Sequence, residues 1–210
     1  ARSAIEALFD AGSFVETDAL ARHRSTEFGR EHIRPYTDGV VTGFGTVDGR
    51  KVCAYAQDAS LFDGTMGEVY GEKVTKLYDL AIKTGVPIVA LVASDKPRAQ
   101  EGIGSSAMQA RILARATTAS GLIPQITAVY AESKEASLVA ALSDVVIAPD
   151  GDVQADGEHE VSVAKRVLSY LPSNNRAAAP RTEATIVAGS VEENISEADH
   201  ALDTLSLIHI

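Results

Sequence analysis

The feature that most constrains this chain is the apolar run VPIVALV at residues 86–92, set between two stretches of helical periodicity. A strand buried on both faces reads as such an unbroken run, whereas a strand with one wet face alternates. In the stretch before it, residues 67–83, Val74, Leu77, Tyr78 and Ala81 share one helical face, and Gly85 supplies the stop. After it, residues 103–119 read as a second helix ended by Ser120-Gly121, and residues 125–130 as another buried strand. Residues 134–142 predict a short helix, residues 145–148 a strand, and Val161, Ala164, Leu168 and Leu171 mark one more helix. Upstream, the β-rich runs 40–47 and 51–56 are joined by Asp48-Gly49, a hairpin signal because both central positions of the favoured turn need positive φ. Strand and helix units alternate regularly, which predicts an α/β protein with parallel pairing.

Composition narrows the function classes. At 210 residues the chain builds one good core and is too short for two ordinary domains. The formal charge of −10 argues against a nucleic-acid partner held through phosphates, and it gives a phosphate-bearing ligand no help without a local basic patch. No apolar run reaches the length of a membrane span and the start has no signal-peptide pattern, so the expected location is cytoplasmic. Cys53 stands alone, which excludes a disulfide framework and a cysteine zinc module. No histidine or carboxylate pair has the spacing of a metal site.

Six blocks carry a specific resemblance. They are GSFVETDALARHRSTEFGR (12–30), DGVVTGFGTVDGRKVCAYAQD (38–58), GEVYGEKVTKLYDLAIKTGVPIVAL (67–91), RAQEGI (98–103), SGLIPQI (120–126) and LSYLPSNNR (168–176). In this order they resemble the carboxyltransferase β subunit of biotin-dependent acyl-CoA carboxylases, of the propionyl-CoA carboxylase type. The resemblance implies a crotonase-like spiral of strand–strand–helix units, an acyl-CoA thioester as substrate, and no metal. It also implies biotin carried by a partner α subunit that bears the biotin carboxylase and carrier functions, and assembly with further copies of the β subunit. On this reading residues 1–172 are an N-terminal crotonase-like domain that lacks its first residues. Residues 173–204, rich in Pro, Asn, Ala and acidic residues, are an extended linker toward a second domain. The closing LSLIHI, residues 205–210, is what a transposase mosaic-end adapter encodes in this frame, and the expectation is a translated adapter without biological role.

The reaction moves a carboxyl group from carboxybiotin to the α-carbon of the thioester, and charge builds on the thioester oxygen. Backbone N–H donors must face that oxygen. The family's first such loop has two adjacent glycines; here Asp95 and Lys96 stand in their place, followed by Pro97, which has no N–H. The family's second loop is glycine-rich and opens a helix; here the positions hold Ser133, Lys134, Glu135 and Ala136. The resemblance therefore points two ways: an N-terminal half of a carboxyltransferase, inactive alone, or a non-catalytic paralogue that scaffolds or regulates a carboxylase. A repurposed acyl-CoA decarboxylase or hydratase is a third use of the same cleft.

For acyl-CoA contact the candidates are Arg98, Gly102 and Lys73. Against each stands a plainer reading: a solvated arginine for Arg98, and the wet face of a helix for Lys73 and Lys76. Glu101 reads as a helix N-terminal residue, Ser133 as an N-cap, Cys53 as a small buried hydrophobe, and His23 and His32 as packing or subunit-contact residues. Tyr55, Gln57 and Asp58 close a strand, where cleft and core are not separable by sequence.

Overall fold

The computed structural model describes residues 1–94, 96–129, 137–148 and 158–181. The chain divides into two units, Ala1–Ala179 and Pro180–Ile210, and the described helices and strands all lie in the first.

A six-stranded sheet runs in sequence order. Strand β1 (Val15–Thr17) pairs antiparallel with β2 (Val40–Val47), and β2 with β3 (Arg50–Gln57); from β3 onward β4 (Ile88–Val92), β5 (Gln125–Val129) and β6 (Val145–Ile147) are parallel. The β2–β3 turn follows the Asp-Gly signal, with φ of +49° at Asp48 and +75° at Gly49. The Asp10 carboxylate locks this turn, accepting from the amides of Asp48 and Gly49 at 3.0 Å each. β1 has no sequence signal of its own. Three residues on an edge are too few to show a period, and close approach at Gly43 admits them: a Cβ there would run into Phe14 and the Val15 carbonyl.

The predicted pleat fixes the layers. Along β3 and β4, Cys53, Tyr55, Ile88, Ala90 and Val92 face one way, against α2 (Glu68–Thr84) and α3 (Ile103–Ala119). Ala54, Ala56, Val89 and Leu91 face the other way, against Ile5 and Leu8 of α1 (Arg2–Leu8) and Val161, Ala164 and Leu168 of α5 (Glu158–Tyr170). Side chains two apart along a strand share a face, so the unbroken apolar run at β4 is what two helical layers demand. Cys53 is buried as read, and desolvation pushes its thiol up to about 12. Helix α2 stops at Gly85 in the left-handed region, φ +65°, with its amide returned to Ala81.

Two boundaries differ from expectation. The helix expected over 134–142 is described as α4 (Leu138–Ala141), and its cap is Ser137, whose Oγ accepts from the Ala140 amide at 3.2 Å. Ser133, expected as that cap, lies outside the described residues. Residues 173–177, read from composition as the start of a linker, are tied down. Arg50 donates to Ser173 Oγ at 3.3 Å, Asn174 Nδ2 to the Gly85 carbonyl at 2.8 Å, and the Asn175 amide to the Leu122 carbonyl at 3.0 Å. The polar composition there serves loop-to-loop hydrogen bonds. Residues 205–210 also lie outside the described residues.

Candidate functional site

Parallel strands β3, β4 and β5 end on the same edge of the sheet, and in open α/β sheets ligands gather outside the carboxyl ends of such strands. Two described stretches meet that edge: 58–67 after β3 and, Asp95 apart, 93–102 after β4.

The loop after β4 has no spare backbone amide among its described residues from 93 to 98. Gln57, buried at the end of β3, turns its carboxamide into the loop; Oε1 accepts from the Ala93 amide at 2.8 Å and the Ser94 amide at 2.7 Å. Its Nε2 donates to the Gly64 carbonyl at 2.6 Å, so one side chain ties the β3 loop to the β4 loop. The Lys96 amide donates to Ser94 Oγ at 3.1 Å and the Arg98 amide to the Met66 carbonyl at 2.8 Å, while Pro97 has none. Successive amides facing one acceptor make an anion-binding concavity, and here a neutral side-chain oxygen fills it.

Behind this loop sits a buried ionic clasp. Arg98 is fully buried, which overturns the solvated-arginine reading. Its Nη1 donates to Asp38 Oδ1 and to Glu101 Oε1, both at 2.7 Å. The same two carboxylates cap α2: Asp38 Oδ2 accepts from the Tyr70 amide at 2.9 Å, and Glu101 Oε2 from the Glu68 amide at 2.7 Å. Helix α2 begins at Gly67 with no side-chain cap of its own, so carboxylates from two distant loops satisfy its orphan donors and its dipole. Glu101 thus serves a helix N-terminus as read, on α2. Gly67 is required here, because a Cβ would run into the Arg98 guanidinium. Burial is the larger effect on Asp38 and raises its pKa, with Arg98 and the Tyr70 amide pulling the other way.

Lys73 is likewise not on a wet face. It is 2% exposed and donates to the carbonyls of Thr37 and Val40. Those acceptors flank a turn in which Thr37 (φ +71°) and Asp38 (φ +52°) are both left-handed, and Lys73 and the Asp38 contacts hold that strained turn. Burial lowers the Lys73 pKa to about 8. Neither Arg98 nor Lys73 presents its cation outward for a phosphate, since each is drawn into the protein by its own carboxylates or carbonyls. Lys76 is the exposed one, paired with Asp18 at 2.6 Å. Gly102 opens α3 with φ +57° and ψ −135°, a backbone state that itself accounts for glycine. Asp95, Ser133, Lys134, Glu135 and Ala136 lie outside the described residues.

Beside the clasp, Gly29, Arg30, Ile33, Phe62 and Gln100 line a cavity of about 400 Å³. Phe62 links the two features: its ring carries the Arg98 guanidinium at 4.1 Å, the Arg30 guanidinium at 5.1 Å, and the edge of His23 at 5.4 Å. His23 is a packing residue as read, buried with Nε2 donating to the Ile33 carbonyl at 2.7 Å. Phe62 and Asp63 both have positive φ, so this loop stores strain where it meets the cavity. Sequence reasoning passed over Asp38, Arg30 and Phe62. The left-handed Asp38 and Phe62 have no local signal, and Arg30 is one arginine among several. Among the described residues no group of three His, Cys, Asp or Glu side chains is placed to hold a metal ion, and no helix is long and apolar enough to cross a membrane.

Comparison with known proteins gives consistent findings. Residues 1–154 match the carboxyl transferase domain model. The chain is 40% identical to the biotin-dependent acetyl-/propionyl-coenzyme A carboxylase beta5 subunit of Mycobacterium tuberculosis, covering 98% of this chain and 45% of that protein. It is 39% identical to the propionyl-CoA carboxylase beta chain of Saccharopolyspora erythraea, with the same coverage. Its structure is similar to that of the transcarboxylase 12S hexamer core solved with methylmalonyl-coenzyme A and methylmalonic acid bound. The TM-score is 0.80 at 28% identity, over 92% of this chain and 45% of that one. The α/β sheet is thus of the crotonase-like kind that the sequence implied. The chain spans about half the length of the relatives it matches. The alignment with the mycobacterial subunit runs over 245 positions against the 210 residues present, so that relative carries segments this chain lacks.

Proposed function

We propose a role from one premise: the chain belongs to the carboxyl transferase domain family. Its role is the acyl-CoA-holding, N-terminal half of the carboxyltransferase β subunit of a biotin-dependent acyl-CoA carboxylase, with propionyl-CoA or a similar short thioester as substrate. The observation that carries this reading is likeness over 98% of the chain to a named acetyl-/propionyl-CoA carboxylase subunit. Biotin arrives on a partner α subunit and supplies the carboxyl group when bound; no described residue is assigned to it. Because the chain spans 45% of that relative, transfer itself belongs to an assembled subunit.

The chemistry asks this chain for N–H donors at the thioester oxygen. In the loop after β4, the Ala93 and Ser94 amides are held by Gln57 and the Lys96 amide by Ser94. Transfer through this loop requires Gln57 to release its two amides, or donors from residues 130–136. That occupancy, with Lys96-Pro97 in the loop, favours a second reading: a non-catalytic paralogue that keeps the fold and scaffolds or regulates a carboxylase.

One experiment separates the two. The chain is co-expressed with a biotin-bearing α subunit and a β subunit whose own acyl-CoA site is disabled, and propionyl-CoA affinity and methylmalonyl-CoA formation are measured on the purified complex. Thioester binding by this chain with transfer supports the first reading. Co-purification without thioester binding supports the second, and absence of both rejects both.

A further inference from the structure

The lysines of this chain sit in very different places. Lys73 is buried on two carbonyls. Lys51 stands in the first turn of the chain into β3 and Lys83 in the last turn of α2, both at the edge where the parallel strands begin. Lys76, midway along α2, is paired with Asp18 at 2.6 Å. Lys165 is half-buried on α5. Lys96 is exposed and follows β4, at the edge where β3, β4 and β5 end. Among the described lysines it alone lies at that edge, outside which ligands gather in open α/β sheets. Its backbone is pinned there. The Lys96 amide donates to Ser94 Oγ at 3.1 Å, its carbonyl accepts from the Met66 amide at 2.8 Å, and the Arg98 amide returns to the Met66 carbonyl at 2.8 Å. Pro97 between them has a fixed φ. The side chain therefore starts from a set point, and only its own rotamers decide where the amine goes. The described amides of this loop are engaged within the protein. What the loop offers a thioester is thus an amine, and a deprotonated lysine amine is a nucleophile toward carbonyl carbon. The family resemblance places glycine at this position, so the amine is this chain's own.

We propose that Lys96 is a self-acylation site, which takes the acyl group of a thioester bound at this edge. The step balances with no further reactant. Lys96 Nζ gives one proton to solvent, and its lone pair attacks the thioester carbonyl carbon. A C–N bond forms, the C–S bond breaks, and coenzyme A leaves as a thiolate that takes a second proton from the same nitrogen. The products are a lysine amide and the free thiol; nothing is oxidised or reduced. Holding the thioester beside the amine makes the reaction effectively unimolecular, which is where the selectivity for one lysine comes from. The amide carries no charge, so the loop loses a cation in a chain whose formal charge is already −10. Because an acyl-CoA must be held at this edge, the site rests on the proposed function.

The test incubates the whole chain with increasing propionyl-CoA and follows each lysine by peptide mass spectrometry, with Lys51, Lys76, Lys83 and Lys165 as references in the same sample. Propionyl-CoA binding is measured in parallel by isothermal titration. Lys96 is expected to be propionylated about tenfold faster than any reference or more, at a rate that saturates with propionyl-CoA and is suppressed by free coenzyme A. The references are expected to react in proportion to propionyl-CoA and to ignore coenzyme A. Lys96→Arg keeps the charge and removes the reacting amine, and it is expected to abolish the fast, saturating reaction while the references keep theirs. Lys96 is exposed, so the variant is expected to melt with the natural chain. The failures are separable. Saturable binding of propionyl-CoA with equal rates at all lysines overturns the site and leaves the function standing. Fast modification of Lys134 in place of Lys96 also overturns it. No binding, with rates proportional to propionyl-CoA at every lysine, rejects the proposed function and this site with it.

Discussion

Lys73 carries a charge into the interior to hold a turn that would otherwise relax. Its ammonium donates to the carbonyls of Thr37 and Val40, and burial lowers its pKa from 10.5 to about 8, against the pull of Glu16, Asp18 and Asp38. Between those two values the unfolded chain binds a proton that the folded chain does not, so stability from this group rises with pH through the window. Below pH 8 its cost is fully present. At about 1.36 kcal/mol per unit, the full window is worth roughly 3 kcal/mol. Cys53, raised to about 12, acts in the opposite sense above its ordinary value of 9.0, so the useful quantity is a difference between two proteins that share Cys53. Denaturant unfolding of the natural chain and of Lys73→Met from pH 7 to 10 is expected to give curves that diverge with pH, the natural chain gaining relative to the variant. Parallel curves would show that Lys73 is solvated in solution.

At the scale of elements, α2 and α3 cross where Gly71 meets Met108. A Cβ at Gly71 would collide with Met108 Cβ and lie 3.0 Å from Cγ. Alanine is ordinarily the better helix residue by about 1 kcal/mol, but overpacking a tight crossing costs about 1–3 kcal/mol. Gly71→Ala is therefore expected to lower stability by up to about 2 kcal/mol in urea unfolding. Gly104→Ala on α3 finds only the Glu68 carboxylate at 3.8 Å and is expected to be neutral or stabilising. Non-additivity with Met108→Gly, which removes the Cβ that the new methyl would strike, would assign the Gly71 cost to this contact. Equal effects at Gly71 and Gly104 would reject it. Helices and strands of this kind were legible in the sequence, because Val74, Leu77, Tyr78 and Ala81 repeat at helical spacing and Asp48-Gly49 declares its turn. The clasp was not. Asp38 and Arg98 stand 60 positions apart, and no local pattern tells a buried arginine from a wet one. Lys73 read as a surface charge for the same reason: the carbonyls that claim it arrive from another segment. The loop substitutions at Lys96 and Pro97 were visible, yet the use of Gln57 to fill the amides behind them was not, since a polar residue closing a strand has no period to betray it.

For the whole molecule, the separation between scaffold and loop decides what the chain can do. The core clusters on both sheet faces are built mostly from strand and helix residues, and Lys96 and Pro97 belong to neither cluster. Loop chemistry should therefore change with little effect on folding, because exposed substitutions away from packed features stay within about 0.5 kcal/mol. The isolated chain with carboxybiotin and propionyl-CoA is expected to form no methylmalonyl-CoA, since the described amides from Ala93 to Arg98 are engaged within the protein. Asp95→Gly with Lys96→Gly restores the glycine pair that the family resemblance places at the first loop. In the assembled complex this double variant is expected to bind propionyl-CoA about tenfold more tightly at an unchanged melting temperature, the gain of one or two well-aimed hydrogen bonds. Tighter binding would mean that the loop sequence alone holds the site shut. Unchanged affinity at an unchanged melting temperature would place the block at Gln57, whose carboxamide would still occupy the Ala93 and Ser94 amides whatever follows them.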